Sequence, residues 1–225
     1  MTEQFTTWMI VYTLCDKRVA NYVELNTSLP TNKFDAIDTI HHFEKWEDFA
    51  ISEKYNTCEY INSIRKIPGK LGCNLSHQLL LDKINDISST DWNLVIEDDT
   101  IINNIPLFLK EVESILISAN NAEAKFIQLY THPNVITRQQ TRLKIVDNLY
   151  KMTYQWGTCA YFIHKDAIPK MREIYPLQKN IDFVYSFMIP KLKSVCWLNP
   201  YIKTIGSIDS KDTKSSLGSI IMNRN

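Results

Sequence analysis

Three consecutive acids, Glu97-Asp98-Asp99, close a short apolar run, Leu94-Val95-Ile96, whose β-branched content reads as a buried strand. Thr100, Ile101 and Ile102 follow at once, so the acids do not begin a polar tail. Carboxylates crowded at the end of a buried strand repel one another unless a cation or a set of donors neutralises them. A hard divalent ion suits such a place, because Mg²⁺ or Mn²⁺ takes oxygen ligands and is commonly held by one or two protein carboxylates plus substrate phosphates. The plainer reading is a solvated turn, since charge runs usually face water.

A second group with chemical potential is Gly69-Lys70-Leu71-Gly72-Cys73-Asn74-Leu75-Ser76-His77. Its glycines allow close backbone approach, and Asn74 is a candidate N-cap for a helix carrying Leu75, Leu79, Leu80, Ile84 and Ile87 at helical spacing. That boundary predicts Ser76 and His77 in the first turn, where free N–H groups and the positive dipole end favour an anion such as a diphosphate. The glycines are too few and wrongly spaced for a P-loop or a Rossmann fingerprint. For His77 alone, a packed helix-start histidine is the commoner explanation. His41-His42 looks like a metal pair, but adjacent residues point apart on a helix or a strand.

The elements that must position these groups alternate. Trp8–Leu14 reads as a first strand that empties into Cys15-Asp16-Lys17-Arg18, with a short helix over Val19–Leu25. Open α/β sheets bind nucleotides outside the carboxyl ends of their strands, and this polar, basic turn is such a place. Lys33–Asp38 is a second strand with acids at its end, and Asn104 and Pro106 open a helix with Phe108, Val112, Ile115, Leu116 and Ala119 on one face. Ala124–Tyr130, Ala160–Ile163 and Ser194–Leu198 are further strands. Asp166 is a candidate cap for a helix through Met171, and Asn180-Ile181-Asp182 begins another. The polar stretch Thr131–Asp147, with Arg138 and Arg142, reads as an excursion from the sheet. The alternation predicts an α/β fold with a mainly parallel central sheet flanked by helices.

With 225 residues, 44% of them hydrophobic, the chain can bury one sizeable core. Residues 1–208 are expected as one domain and 209–225 as a polar, mobile tail. Formal net charge is zero, which argues against nucleic acid as a partner and against attraction to an anionic membrane. Five scattered cysteines with no Cys-x-x-Cys pair argue for reduced thiols in a reducing compartment, and against a disulfide framework or a zinc site. The amino-terminal residues carry no basic-then-apolar signal, and Trp8–Cys15 is too short to span a bilayer, so a soluble cytoplasmic protein is expected.

Several of these pieces occur in an order and spacing that resembles glycosyltransferase family 25, which comprises lipooligosaccharide galactosyltransferases and collagen hydroxylysine galactosyltransferase domains. They are Phe34-Asp35-Ala36, the Gly69–His77 block, Glu97-Asp98-Asp99 about twenty residues later, Gly157-Thr158-Cys159-Ala160-Tyr161-Phe162-Ile163, and Ile181-Asp182. The resemblance runs from about Ile10 to about Asp209. It implies a GT-A fold, an inverting mechanism, a UDP-sugar donor (galactose by family), and Mn²⁺ or Mg²⁺ held by a DXD-like triplet. The expected acceptor is a glycan, glycolipid or glycoprotein hydroxyl, as in lipopolysaccharide biosynthesis, with no transmembrane segment and peripheral membrane contact open. Two departures stand out. Lys70 occupies a position where the family usually has Glu, which puts a cation near the donor. No histidine lies in the C-terminal region to complete a metal shell, leaving Asp209, water or weak metal binding as the alternatives.

On that resemblance Asp99 is the first choice of direct metal ligand. Glu97, on the same strand face by the period of two, binds directly, through water, or at the ribose. Asp98 would hold ribose or brace the loop. Uridine would lie across the first two strands, touching Thr13, Arg18, Ala36 and Asp38, with Arg18 alternatively on a phosphate. Ser76 and His77 would face the donor. Asp182 is the candidate catalytic base, against the plainer reading of a helix-start charge. Trp156, Gly157 and Tyr161 are candidates for an acceptor wall, with a core role the commoner explanation for Tyr161. Two other classes stay open: a metal-dependent phosphohydrolase built on the acids, and a non-catalytic nucleotide-sugar or glycan-binding protein on a decayed transferase fold.

Overall fold

The computed structural model describes residues 4–129, 144–146, 148–152 and 157–204. In chain order the elements are β1 (Phe5–Val11), α1 (Asp16–Ser28), β2 (Asn32–Asp35), α2 (Phe43–Ser52), α3 (Cys58–Ile64), α4 (Gly69–Ile87), β3 (Trp92–Glu97), β4 (Thr100–Ile102) and α5 (Ile105–Asn121). They continue with β5 (Phe126–Gln128), β6 (Lys144–Val146), β7 (Leu149–Lys151), β8 (Ala160–His164), α6 (Ile168–Arg172), α7 (Ile181–Met188), β9 (Val195–Trp197) and β10 (Ile202–Thr204).

Eight strands form one sheet in the order β2-β1-β3-β8-β5-β9-β7-β6. The β1–β2, β1–β3 and β5–β9 pairings are parallel, and the β8 and β7 pairings are antiparallel. Following those pairings across the sheet, only β7 and β8 run against the other strands, so an α/β sheet with one prevailing direction is what forms. β4 leaves the sheet and pairs with β10 in a separate two-stranded ribbon.

The period of two sorts the strand residues into two cores. Met9, Val11, Leu94 and Ile96 pack on one face with Phe108, Val112 and Leu116 of α5. Trp8, Ile10 and Val95 pack on the other with Leu80, Leu81 and Ile84 of α4 and with Val184, Tyr185 and Met188 of α7. A third cluster joins α3 to the start of α4 through Tyr60, Ile61, Ile64, Leu71 and Leu75. Among the described residues no helix is long and apolar enough to cross a membrane.

One predicted boundary is corrected. α4 begins at Gly69, five residues ahead of the expected cap at Asn74, so Ser76 and His77 lie in its second and third turns and not at its dipole end. Glycine costs about 1 kcal/mol in a helix interior, but Gly72 is where the loop after β2 rests on the helix. A Cβ there would stand 2.6 Å from Ile37 O and 2.7 Å from Thr39 Oγ1. Asn74, freed from capping its own helix, accepts from Ile181 N at 2.9 Å and thereby caps α7. As expected, Asn104 caps α5, accepting from Leu107 N. The anticipated cap at Asp166 is reversed: the His164 side chain accepts from Asp166 N ahead of α6.

Candidate active site

At the carboxyl ends of β1, β2 and β3 lies an open cleft, the place where open α/β sheets bind ligands. Its helical wall is a single face of α4. Gly69, Gly72, Cys73, Ser76 and His77 all line it, and they follow one another at the three- and four-residue spacing that stacks side chains on one side of a helix. The opposite wall is the loop of Ala36, Ile37, Thr39 and Ile40 with Ile10 and Tyr12. Ser76 joins the two: its Oγ accepts from Ile37 N at 2.8 Å and donates to Gly72 O at 2.7 Å. Thr39 Oγ1 adds a bond to Pro68 O at 2.7 Å. Ser76 is thus a staple of the wall, with its hydrogen-bonding capacity already engaged.

The three acids meet different fates. Asp98 is buried, and both of its oxygens are taken: Oδ1 by Arg18 Nη1 at 2.5 Å and Oδ2 by Tyr12 N at 2.6 Å. Asn21 Nδ2 holds the Asp98 carbonyl as well. Of the two roles expected for Asp98, bracing the loop is the one these bonds perform. Arg18, expected at uridine or a phosphate, is buried beneath the acids, its Nη1 also 3.4 Å from Asp99 Oδ2. Burial works against its charge, but Asp99 and Asp98 outweigh burial and hold the guanidinium above its ordinary value.

Asp99 Oδ1 is buried and has no hydrogen-bond partner. Burial, then the charge of Glu97, pushes the Asp99 carboxyl up to about 6, with Arg18 opposing. Glu97 receives the opposite treatment. Burial alone would raise it, but the His77 ring (Nε2–Oε1 3.1 Å), the Thr158 hydroxyl (2.7 Å to Oε1) and Arg18 bring it below the usual carboxylate value. Both bonds use Oε1, so Oε2 is left out of them. His77 is itself fixed from behind by Tyr161 Oη, 3.0 Å from Nδ1. Thr158 reaches Glu97 because Gly157 turns at φ 86°, a backbone region that favours glycine, and Glu97 N donates to Cys159 O as β8 enters beside β3.

A divalent cation fits this donor set. Glu97, Asp99 and Cys159 each offer an atom within 4.8 Å of the other two, and Cys73, His77 and Glu97 form a second such trio. The unpartnered Asp99 oxygen carries its full desolvation cost, which a proton or a bound cation would offset.

Of the remaining predicted residues, Ala36 lines the cleft, whereas Thr13, Asp38 and Lys70 stand outside its lining. Asp38 is engaged by Ile40 N, His41 N and the His41 ring, bonds that outweigh the effect of burial and lower its pKa. Asp182 opens α7 half-buried, with Oδ1 accepting from Phe183 N at 2.9 Å. It stands outside the cleft's lining, next to Ile181, whose N–H donates to Asn74 of α4. Tyr161 does not form an acceptor wall. It is 1% exposed and stacks on Phe126 with centroids 5.0 Å apart, because β8 is an interior strand and turns that face into the core. Trp156, Arg138, Arg142 and Asp209 with the expected tail fall outside the described residues. Tyr12, Cys73 and Thr158 enter the site without having been singled out, although the helical spacing of Gly69, Gly72, Cys73, Ser76 and His77 was a signal that Cys73 shares a face with His77.

Residues 16–185 match the family model described as glycosyltransferase family 25 (LPS biosynthesis protein). Among solved structures the chain is similar to A197 from STIV, with 11% identity, 85% of this chain and 80% of that one covered, and a TM-score of 0.46. It is also similar to a glycosyltransferase involved in the glycosylation of the major capsid of PBCV-1, with 10% identity, 85% and 81% coverage, and a TM-score of 0.44. Mouse xyloside xylosyltransferase 1 follows with 9% identity, 84% and 69% coverage, and a TM-score of 0.36. At these values the structural likenesses carry neither substrate nor mechanism to this chain. No curated protein matches it.

Proposed function

The chain belongs to glycosyltransferase family 25, and from that premise we propose an inverting transfer of a sugar from a UDP-sugar to a hydroxyl of a glycan, glycolipid or glycoprotein. Galactose is the proposed sugar, on the family resemblance. The observation that carries the metal-dependent form of this reading is the pair of Glu97, which lines the cleft, and Asp99, two residues beyond the end of β3, whose Oδ1 is buried without a partner.

In this mechanism the nucleotide lies in the cleft between the Ala36–Ile40 loop and the α4 face, with Tyr12 at the end of β1. Mn²⁺ or Mg²⁺ held by Glu97 and Asp99 would supply Lewis-acid stabilisation of the leaving diphosphate. His77 and Thr158 hold Glu97 by one oxygen and keep it ionised, leaving the other oxygen for a ligand. Arg18 neutralises Asp98 and stiffens the turn, so the acids stay together before any substrate arrives. Asp182 takes the proton of the acceptor hydroxyl as that oxygen attacks the anomeric carbon opposite the departing UDP, an assistance typically worth about 10²–10⁴-fold. Asn74, bonded to the first backbone N–H of α7, holds that helix start against α4.

The test is UDP release measured across a panel of UDP-sugars, with and without Mn²⁺ and acceptor, followed by the anomeric configuration of the product. The reading expects release that depends on both acceptor and cation, with inversion. Undiminished release in excess EDTA would remove the metal, and hydrolysis of phosphate esters without a sugar acceptor would favour the phosphohydrolase. Donor binding with no turnover on any acceptor would favour the non-catalytic class.

A further inference from the structure

We propose that Cys73, His77 and Glu97 form a Zn²⁺ site on the α4 side of the cleft, separate from the Glu97–Asp99 pair and sharing Glu97 with it. The three offer a sulfur, an imidazole nitrogen and a carboxylate oxygen, all within 4.8 Å of one another. That mixed soft and hard set suits Zn²⁺, whereas Mg²⁺ and Mn²⁺ prefer oxygen alone. Cys73 and His77 are four residues apart on α4, so the helix presents both toward the end of β3. Zn–N and Zn–O bonds of about 2.0 Å in a tetrahedron place their two donor atoms roughly 3.3 Å apart. The observed separation of His77 Nε2 and Glu97 Oε1 is 3.1 Å, so these two need almost no movement. Cys73 is solvent-exposed and lines the cleft, which gives an ion a route in and the thiol room to turn.

The outer shell is in place as well. A zinc-bound histidine ordinarily donates its other ring N–H to a fixed partner, and Tyr161 Oη lies 3.0 Å from His77 Nδ1. Binding breaks the Cys73 S–H bond, forms an S–Zn bond and releases the proton to solvent, while the His77 ring carries its proton on Nδ1. A water from the cleft would complete the four-coordinate shell. If the sugar-transfer reading also holds, Zn²⁺ here draws on Glu97 and inhibits the enzyme, but the site itself rests only on the ligand set.

The experiment uses metal alone, without nucleotide or acceptor. Co²⁺ as a spectroscopic stand-in is expected to give a thiolate charge-transfer band with one equivalent bound, displaced by Zn²⁺ and absent in Cys73→Ser. Tyr161→Phe should weaken Zn²⁺ by about 10–100-fold, as outer-shell losses do, and Cys73→Ser by more. Asp99→Asn removes a neighbouring charge but no ligand, so it should weaken Zn²⁺ far less than Cys73→Ser does, which separates this site from the proposed catalytic pair. Since Tyr161 is a core residue, alkylation of the unaltered chain gives a second reading: Zn²⁺ should protect Cys73 and leave the exposed Cys58 reactive. Absence of the thiolate band in the wild type, or equal alkylation of Cys73 with and without Zn²⁺, overturns the proposal.

Discussion

Around the ends of β1 and β3, the polar side chains that hold the acids are bonded to distant parts of the chain: Arg18 to Asp98, Asn21 to the Asp98 carbonyl, Thr158 and His77 to Glu97. At the start of α7, by contrast, Asp182 makes its hydrogen bond to the backbone of its own neighbour, and Phe183 and Phe187 stand 38% and 59% exposed beside it. The difference follows from charge. Three carboxylates in sequence repel one another, so their positions must be imposed by many partners, and the resulting site is rigid before a ligand arrives. A single acid at a helix start needs little support, and its surroundings stay exposed.

The sharpest way to break that contrast is Asp99→Ala. If the acid end of β3 is built for a cation, transfer should fall by about 10³-fold with the fold intact. Near-normal turnover in the presence of Mn²⁺ would reduce the constellation to an internal ion pair. Arg18→Ala attacks the support and not the ligand. It strands the buried Asp98 carboxylate and the half-buried Asp99 and should cost about 3–5 kcal/mol in a denaturant titration, while an equivalent truncation at the exposed Lys17 should cost almost nothing.

On the open side, Asp182→Asn keeps shape and removes charge. Transfer should slow by about 10²-fold with UDP affinity barely changed. Loss of UDP binding together with rate would move Asp182 to the donor side and erase the distinction between the walls. Gly72→Ala is a smaller perturbation of the stapled wall. Its Cβ would meet the Ile37 carbonyl at 2.6 Å, and forcing the loop away should cost about 1–3 kcal/mol, read as a lowered melting temperature.

The mildest test is pH. Because folding raises the Asp99 carboxyl to about 6, the protonated form is favoured in the native state. Its contribution to stability is therefore present at acid pH and declines as pH rises through the interval from the unfolded value, about 4, to about 6. A cation that binds Asp99 must displace that proton. The gain in melting temperature from added Mn²⁺ should be small below about pH 5 and reach a plateau above about pH 7. A gain of equal size in Asp99→Asn would show that the cation binds elsewhere.

Much of this was legible in the residues themselves. The alternation of strands and helices, the N-cap at Asn104, and the acid triplet at the end of a buried strand depend on short-range periodicity and capping, which the chain states locally. Three things were not. The start of α4 was misplaced because Gly69 and Gly72 read as turn residues, whereas the Ile37 and Thr39 atoms lying against Gly72 come from a loop more than thirty residues earlier. The division of labour among the acids was equally hidden. Nothing in Glu97-Asp98-Asp99 distinguishes its members; Arg18, Tyr12, His77 and Thr158 do so, from four other segments. Cysteine spacing likewise argued against a zinc site, whereas the trio of Cys73, His77 and Glu97 is assembled by the approach of α4 to the end of β3. Sequence determined which groups carry charge and which segments are helix or strand, since those follow from side-chain chemistry and local backbone geometry. Which carboxylate is neutralised and which is left with an unpartnered oxygen was decided by tertiary structure, because electrostatic and hydrogen-bond energies depend on distance in space and on burial, and the chain sets neither until it has folded.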